Sequence, residues 1–130
     1  DLKMDDLELA DESLKSASLH QKYLTIFNNY RQLHLMSEGQ YNVLKRKKWE
    51  YYGGKSDPEV YRDKPFDHKI LKQDIPLYLD SDEELLAAKH KMDYHKMCMD
   101  TCERILKQIQ NRGWDIKNAI DWRKFLDGAV

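Results

Sequence analysis

Apolar positions in the second half of the chain recur at intervals of three, four, three and four residues. Leu85, Ala88, Met92, His95, Met99, Cys102, Leu106 and Ile109 keep this spacing without a break. It is the repeat by which a helix holds one seam against a partner helix over several turns. The helix has a marked start. Ser81 reads as an N-cap, Glu84 three residues on completes a capping box, and Asp82 and Glu83 suit the positive end of the helix dipole. Gly113 is expected to stop the helix, with residues 115–126 forming a third, shorter one.

The first half carries a weaker version of the same pattern. From about Leu19 to Tyr52 it reads as one long helix, with Tyr23, Tyr30, Ser37, Leu44 and Tyr51 seven residues apart and Ile26 and Leu33 at the second seam position. Gln40 and Lys47 then turn that second position polar, and Gly39 costs about 1 kcal/mol relative to alanine in a helix interior. Gly53-Gly54 ends the helix, since glycine accepts the left-handed conformation of a C-cap. Residues 55–80 hold all three prolines, Pro58, Pro65 and Pro76, and read as a connector with at most short helical turns. Bare loops of this length are uncommon. Val60, Tyr61, Phe66, Ile70, Leu71, Ile75, Leu77, Tyr78 and Leu79 are therefore expected to pack, with a short extended piece near 77–79.

The predicted fold is all-α: two long helices in a hairpin with a coiled-coil-like seam, a packed proline-containing connector, and a short C-terminal helix. The segments run as an acidic mobile arm over 1–16, the helical hairpin over 17–112 with a basic segment at 45–55, and the C-terminal helix over 113–130. A chain of 130 residues suits one domain with a modest core. The net charge of −1 hides an asymmetry. Asp1, Asp5, Asp6, Glu8, Asp11 and Glu12 stand against Lys3, a net of −5, so the other 118 residues carry +4. Such an arm can compete with an anionic ligand or dock on a basic partner, or serve only as a solubilising tail. No apolar run reaches the roughly 18 residues of a membrane span, and no signal-like leader is present, so no membrane association is expected. Two late cysteines make no disulfide framework and point to a reducing, cytoplasmic setting.

The densest chemistry lies at the end of the first helix. Lys45, Arg46, Lys47 and Lys48 run into Trp49, Tyr51 and Tyr52, and Lys55 follows the glycine pair. Cations neutralise phosphates and aromatic faces accept unstacked bases, the combination that holds single-stranded nucleic acid. At 100° per residue, Lys45, Trp49 and Tyr52 share one stripe and Lys48 adjoins it. A basic run near a helix C-terminus also arises as a solvated face complementing the dipole. About four phosphate contacts would give a log–log salt slope near −3, weak for one protomer, so tight binding would need repetition in an oligomer. The last helix offers a means. Trp114, Ile116, Ile120, Trp122 and Phe125 place apolar groups on more than one of its sides, to be buried either on the hairpin or on another subunit.

Other constellations fall away. His95, Cys98 and Cys102 share a helical face and His90 lies close in sequence, but His95 and Cys102 fall on the apolar seam, where core packing accounts for them. Gly54-Lys55-Ser56 imitates the end of a phosphate-binding loop, yet Trp49 stands where that motif needs its first glycine. Helix-start electrostatics explains Asp80, Asp82, Glu83 and Glu84. No nucleophile–base pair stands out. No catalytic residue, metal or cofactor is expected.

The chain resembles the UvsY-type recombination mediator proteins of T-even-type phages over roughly residues 20–128. Arg46, Lys48, Tyr51 and Tyr52 carry the likeness, together with Pro58-Glu59-Val60-Tyr61, Lys64-Pro65-Phe66-Asp67 and the run from Leu77 to Glu84. Its most specific part is Asn111-Arg112-Gly113-Trp114, Ile116-Lys117-Asn118-Ala119-Ile120, Arg123-Lys124-Phe125 and Gly128. The resemblance implies a non-enzymatic protein that forms ring-like homo-oligomers, heptameric in the best-known case, and binds single-stranded DNA. It also implies partners: a RecA-like phage recombinase, loaded onto DNA already covered by the phage single-strand-binding protein, in the cytoplasm of the infected host bacterium. The family's basic motif maps its two cations onto Arg46 and Lys48 and its apolar residue onto Trp49, while Lys45 stands where leucine is usual. The family's C-terminal helix is linked to self-association, which favours the subunit-contact alternative for Trp114, Ile116, Ile120, Trp122 and Phe125. A coiled-coil structural adaptor with no nucleic-acid role is the alternative reading.

Overall fold

A computed structural model describes residues 2–128, with side chains from Asp5 onward. Asp1 of the acidic segment, and Ala129 and Val130 of the C-terminal one, lie outside the described residues. Among the described residues the chain is all-helical: α1 (Leu2–Tyr52), α2 (Pro58–Asp63), a 3₁₀ turn (Lys72–Asp74), α3 (Ile75–Ser81) and α4 (Glu83–Gly128). The two long helices pair, as the seam predicts. They contribute to two compact units, one made by residues up to 30 with those from 98 on, the other by residues 31–97.

In the unit of residues 31–97 the core is small. Ile75, Leu79 and Leu85 are buried, with Tyr41, Leu44, Trp49, Tyr52 and Ile70 packed against them. The α1 side of the seam runs through His34, Ser37, Tyr41, Leu44 and Lys48, all at least half-buried, whereas Leu33, Gln40 and Lys47 are exposed. One of the two predicted seam positions is therefore displaced by one residue, from 33, 40 and 47 to 34, 41 and 48. The shift is allowed because the true seam residues bring their own polar partners. Ser37 is 2% exposed and donates its hydroxyl to the Leu33 carbonyl at 2.7 Å. The Ser37 hydroxyl also lies within hydrogen-bond distance of His95 Nδ1, at 2.9 Å. His34 Nδ1 likewise meets the Met92 carbonyl at 3.3 Å.

Helix α1 ends as the glycine pair predicts. Lys55 N–H reaches the Glu50 carbonyl at 2.8 Å and Gly54 N–H the Tyr51 carbonyl at 3.2 Å, the two bonds of a Schellman cap. Gly54 takes the positive φ of 74° that this cap requires. The connector then folds back. Tyr61 Oη donates to the Tyr51 carbonyl at 2.8 Å, and Tyr51 Oη donates to the Lys64 carbonyl at 2.9 Å. Of the connector residues expected to pack, Val60, Leu71 and Leu77 are exposed instead. Residues 77–79 are helical, within α3, because Pro76 sits in the first turn, where its missing N–H costs nothing.

The start of α4 lies one residue later than expected. Ser81 closes α3, donating its hydroxyl to the Leu77 carbonyl at 3.0 Å. Asp82 is the cap, its Oδ1 accepting the Leu85 N–H at 2.9 Å.

In the unit made by the outer parts of both helices, Ser16, Cys102, Leu106 and Ile116 are buried. Two expectations change here. Residues 2–16 are helical and continuous with the rest of α1, and Gly113 does not stop α4, which continues through Gly128. Gly113 instead extends the seam spacing beyond Ile109, followed by Ile116, Ile120 and Arg123. A Cβ at Gly113 would lie 3.7 Å from Ser16 Oγ, so small residues meet on both sides of this layer. Ion pairs join the ends: Arg112 to Glu12 at 2.6 Å, and Arg123 to Asp5 at 3.2 Å and to Asp6 at 3.4 Å. Among the described residues no helix is long and apolar enough to cross a membrane.

Candidate nucleic-acid interface

The basic segment occupies the last two turns of α1, stiffened by the Schellman cap and by the connector packed beside it. The helix sorts its side chains by direction. Lys45, Arg46, Lys47 and Lys55 are exposed. Arg46 makes one loose contact, to Glu50 at 3.8 Å on the next turn, a pairing of small energetic weight at the surface. Lys55 Nζ lies 5.3 Å from the Trp49 ring centre, and Lys45 Nζ lies 5.9 Å from that of Tyr41, both within cation–π reach.

Two hollows flank this ridge. The first, of about 520 Å³, runs between α1 and the connector and is lined by Arg46, Lys47, Lys48, Lys55 and Lys64 together with Tyr51 and Ser56; Glu50, Asp57 and Asp63 temper its charge. The second, of about 580 Å³, lies on the other flank and joins Lys45, Arg46 and Lys55 to Trp49, with Glu50 as its acid. Arg46 and Lys55 line both. A backbone of phosphates on either side would meet cations from two directions, and in the second hollow it would meet an indole as well.

Tyr52 points inward, and Lys48, though it lines the first hollow, is held by acids at the start of α4. Lys48 is only 14% exposed at its side chain and sits 3.2 Å from Asp82 and 3.4 Å from Glu84. Tyr52 donates its hydroxyl to Asp82 at 2.5 Å. Burial, then the bond to Asp82, pushes the Tyr52 hydroxyl well above the ordinary tyrosine range. Burial alone would push the Asp82 carboxyl up, but bonds from Tyr52, the Leu85 N–H and Lys48 outweigh it and hold the carboxyl below the usual range. Lys64 also reaches Glu84, at 2.5 Å, and that bond lowers the Glu84 carboxyl and raises the Lys64 ammonium. Tyr52 is enclosed by rings as well, 5.2 Å from both Tyr51 and Phe66 and 5.6 Å from Tyr78. The helical stripe drawn from sequence through Lys45, Trp49 and Tyr52 thus divides. Lys45 faces outward, Trp49 both packs on the core and lines the second hollow, and Tyr52 faces the core.

Helix-start electrostatics is all that local sequence predicts for the acidic residues at the start of α4. Their contact with the basic segment depends on how α3 returns the chain, and no local spacing announces it. Lys64, on the far wall of the first hollow, was missed for the same reason.

The C-terminal candidates also divide. Ile116 is 9% exposed and Ile120 half-buried on the chain's own seam. Trp114, Trp122 and Phe125 remain 60%, 61% and 63% exposed. Trp122 and Phe125 stack on each other at 5.5 Å, and Lys117 lies 5.0 Å from the Trp114 ring. Among the described residues no group of three His, Cys, Asp or Glu could hold a metal ion.

By fold this is an all-helical protein of paired long helices, with its densest exposed positive charge at the end of α1. The family model described as recombination, repair and ssDNA binding protein UvsY matches residues 1–129, and the chain belongs to that family. The recombination protein uvsY of Enterobacteria phage T4 is 25% identical over 128 residues, spanning 98% of this chain and 90% of that protein. The crystal structure of the bacteriophage T4 recombination mediator protein UvsY superposes with a TM-score of 0.76 at 24% identity, over 92% of this chain and 87% of that one. The structural likeness bears on the fold, and the family match on the class of protein.

Proposed function

We propose that this protein is a non-enzymatic recombination mediator. It binds single-stranded DNA through the end of α1 and promotes loading of a RecA-like recombinase onto DNA covered by single-strand-binding protein, in the cytoplasm of an infected host bacterium. The observation that carries the reading is the exposure of Lys45, Arg46, Lys47 and Lys55 around Trp49, on a helix end held stiff by its cap and connector. Membership of a family described by recombination, repair and single-stranded DNA binding supports it. The acting form is a homo-oligomeric ring, a heptamer. One segment offers few phosphate contacts, and repeating it raises the effective concentration of sites along the strand. The exposed Trp114, Trp122 and Phe125 support assembly, because rings of this size are rarely left in water without a partner. Handover then needs only different affinities for bare and protein-covered strand, not a chemical fuel.

The test is a titration of labelled oligothymidylate at two salt concentrations with the intact protein and with Lys45, Arg46 and Lys47 replaced by glutamine. The expected result is strong salt dependence, with a slope that falls by about 0.7 for each cation lost. Binding that ignores both salt and substitution would favour a coiled-coil adaptor with no nucleic-acid role.

A further inference from the structure

Family resemblance treats Arg46 and Lys48 as a matched pair of DNA-contacting cations. We propose that Lys48 is a positioning residue. Its ammonium ties the basic segment to the start of α4 through Asp82 and Glu84, while phosphate contact falls to Lys45, Arg46, Lys47 and Lys55. The inference rests on the DNA-binding reading of that segment.

Register is the first support. Lys48 continues the inward series His34, Ser37, Tyr41 and Leu44 at the seam spacing of three and four, while Arg46 and Lys47 fall outside it. Pairing is the second. The Lys48 side chain is 14% exposed and the Asp82 side chain 6%, with 3.2 Å between their charged atoms. A phosphate taking Lys48 would have to displace two carboxylates, Asp82 and Glu84, and leave the buried one without its cation, which is costly. Convergence is the third. Asp82 caps α4 through the Leu85 N–H and accepts the Tyr52 hydroxyl, so one carboxylate joins the cap of one helix to two successive turns of the other. Holding Lys48 and Tyr52 from the inside fixes the rotation of α1 and thereby aims the exposed cations outward.

The roles predict opposite signs for one substitution. Asp82→Ser keeps a hydroxyl cap but removes the anchor. If Lys48 positions, Asp82→Ser loosens the segment and weakens binding. If Lys48 is a phosphate ligand, the same change releases it from competition, tightening binding and steepening the salt slope. The experiment uses the full chain and labelled oligothymidylate over a salt series, with helicity checked by circular dichroism. Lys48→Met and Asp82→Ser are each expected to weaken binding several-fold at every salt concentration while keeping the intact protein's slope, and the double variant should be no weaker than the worse single one. Arg46→Gln should lower the slope by about 0.7. Tighter binding by Asp82→Ser, a slope loss of about 0.7 in Lys48→Met, or no effect of either on binding would overturn the proposal. If Lys48→Met loses helix, Asp82→Ser decides alone. If no glutamine variant of Lys45, Arg46 or Lys47 moves the slope, the DNA interface lies elsewhere and the proposal falls with it, an outcome distinct from the others.

Discussion

The same two helices build both compact units, yet the units solve burial differently. In residues 31–97 a third layer, the connector, covers the end of α1. Its Tyr61 caps an α1 carbonyl, its α3 supplies Ile75 and Leu79 to the core, and the rings of Tyr51, Tyr52, Phe66 and Tyr78 cluster together. At the end of α1 what remains outside is charge, while Leu35, Met36, Leu71 and Leu77 stay exposed elsewhere in the unit. The other unit has no covering layer among the described residues. Its seam is a two-helix contact in which Ser16 faces Gly113, charged groups pair at its surface, and its largest rings, Trp114, Trp122 and Phe125, are left outside. The comparison teaches that a third layer draws in the rings it covers. Where one exists, the surface is free to carry cations for a ligand. Where none does, the largest rings stay exposed.

The largest test of this contrast removes the buried charge contact. Lys48→Ala leaves Asp82 enclosed without its cation and is expected to cost about 3 kcal/mol, read as a shift in urea midpoint at constant slope. A loss below about 0.5 kcal/mol would mean that the covered unit is no more tightly held than the bare one. Next, replacing Trp122 and Phe125 with serine should collapse the assembly while leaving helicity intact, and lower affinity for long single strands roughly 100-fold through lost avidity. Sedimentation that still finds the full oligomer would assign subunit contact to another surface.

Acid distinguishes the units more gently. The Asp82 carboxyl is held below its ordinary value in the folded protein, so its contribution is fully present above the unfolded-state value near pH 4 and is lost as pH falls through the lower folded value. Helicity followed from pH 5 downward should show a loss that Asp82→Asn flattens. The exposed Glu12 carboxyl is lowered by its Arg112 partner, but solvent and salt screen that pair, and Glu12→Gln should change the acid profile less. The smallest expected effects are gains. Gly39 has open space around a prospective Cβ, and at Gly113 the nearest neighbour would be at an ordinary contact distance of 3.7 Å. Each change to alanine should therefore stabilise its unit by up to about 1 kcal/mol. A Gly113→Ala variant that loses stability would show the Ser16 layer to be tighter than this geometry.

Much of this was legible beforehand, and the failures share a cause. The α4 seam could be read because its members are mostly apolar. The α1 seam was displaced at one of its two positions because its true members His34, Tyr41 and Lys48 look no more buried in sequence than Leu33, Gln40 and Lys47. Their burial depends on partners, Met92, the α3 core and Asp82, that lie far along the chain. Local chemistry favours Ser81 as the α4 cap, yet Asp82 takes the role because its other oxygen also serves Lys48 and Tyr52. Gly113 carried a stop signal that Ser16 overrides, since close approach of the facing helix suits the same residue.

Sequence by itself determined the all-helical class, the two long paired helices, the turn at Gly53-Gly54, and the concentration of cations and aromatics before it. These depend on periodicity, capping and composition, which act over a few residues. Only the tertiary structure decided which of those cations face the solvent, that Lys48 and Tyr52 are tied to Asp82, and that Ile116 and Ile120 lie on the seam while Trp114, Trp122 and Phe125 stay exposed. Such choices depend on the rotation of one helix against another and on contacts between residues some thirty to a hundred positions apart, information that local spacing does not contain.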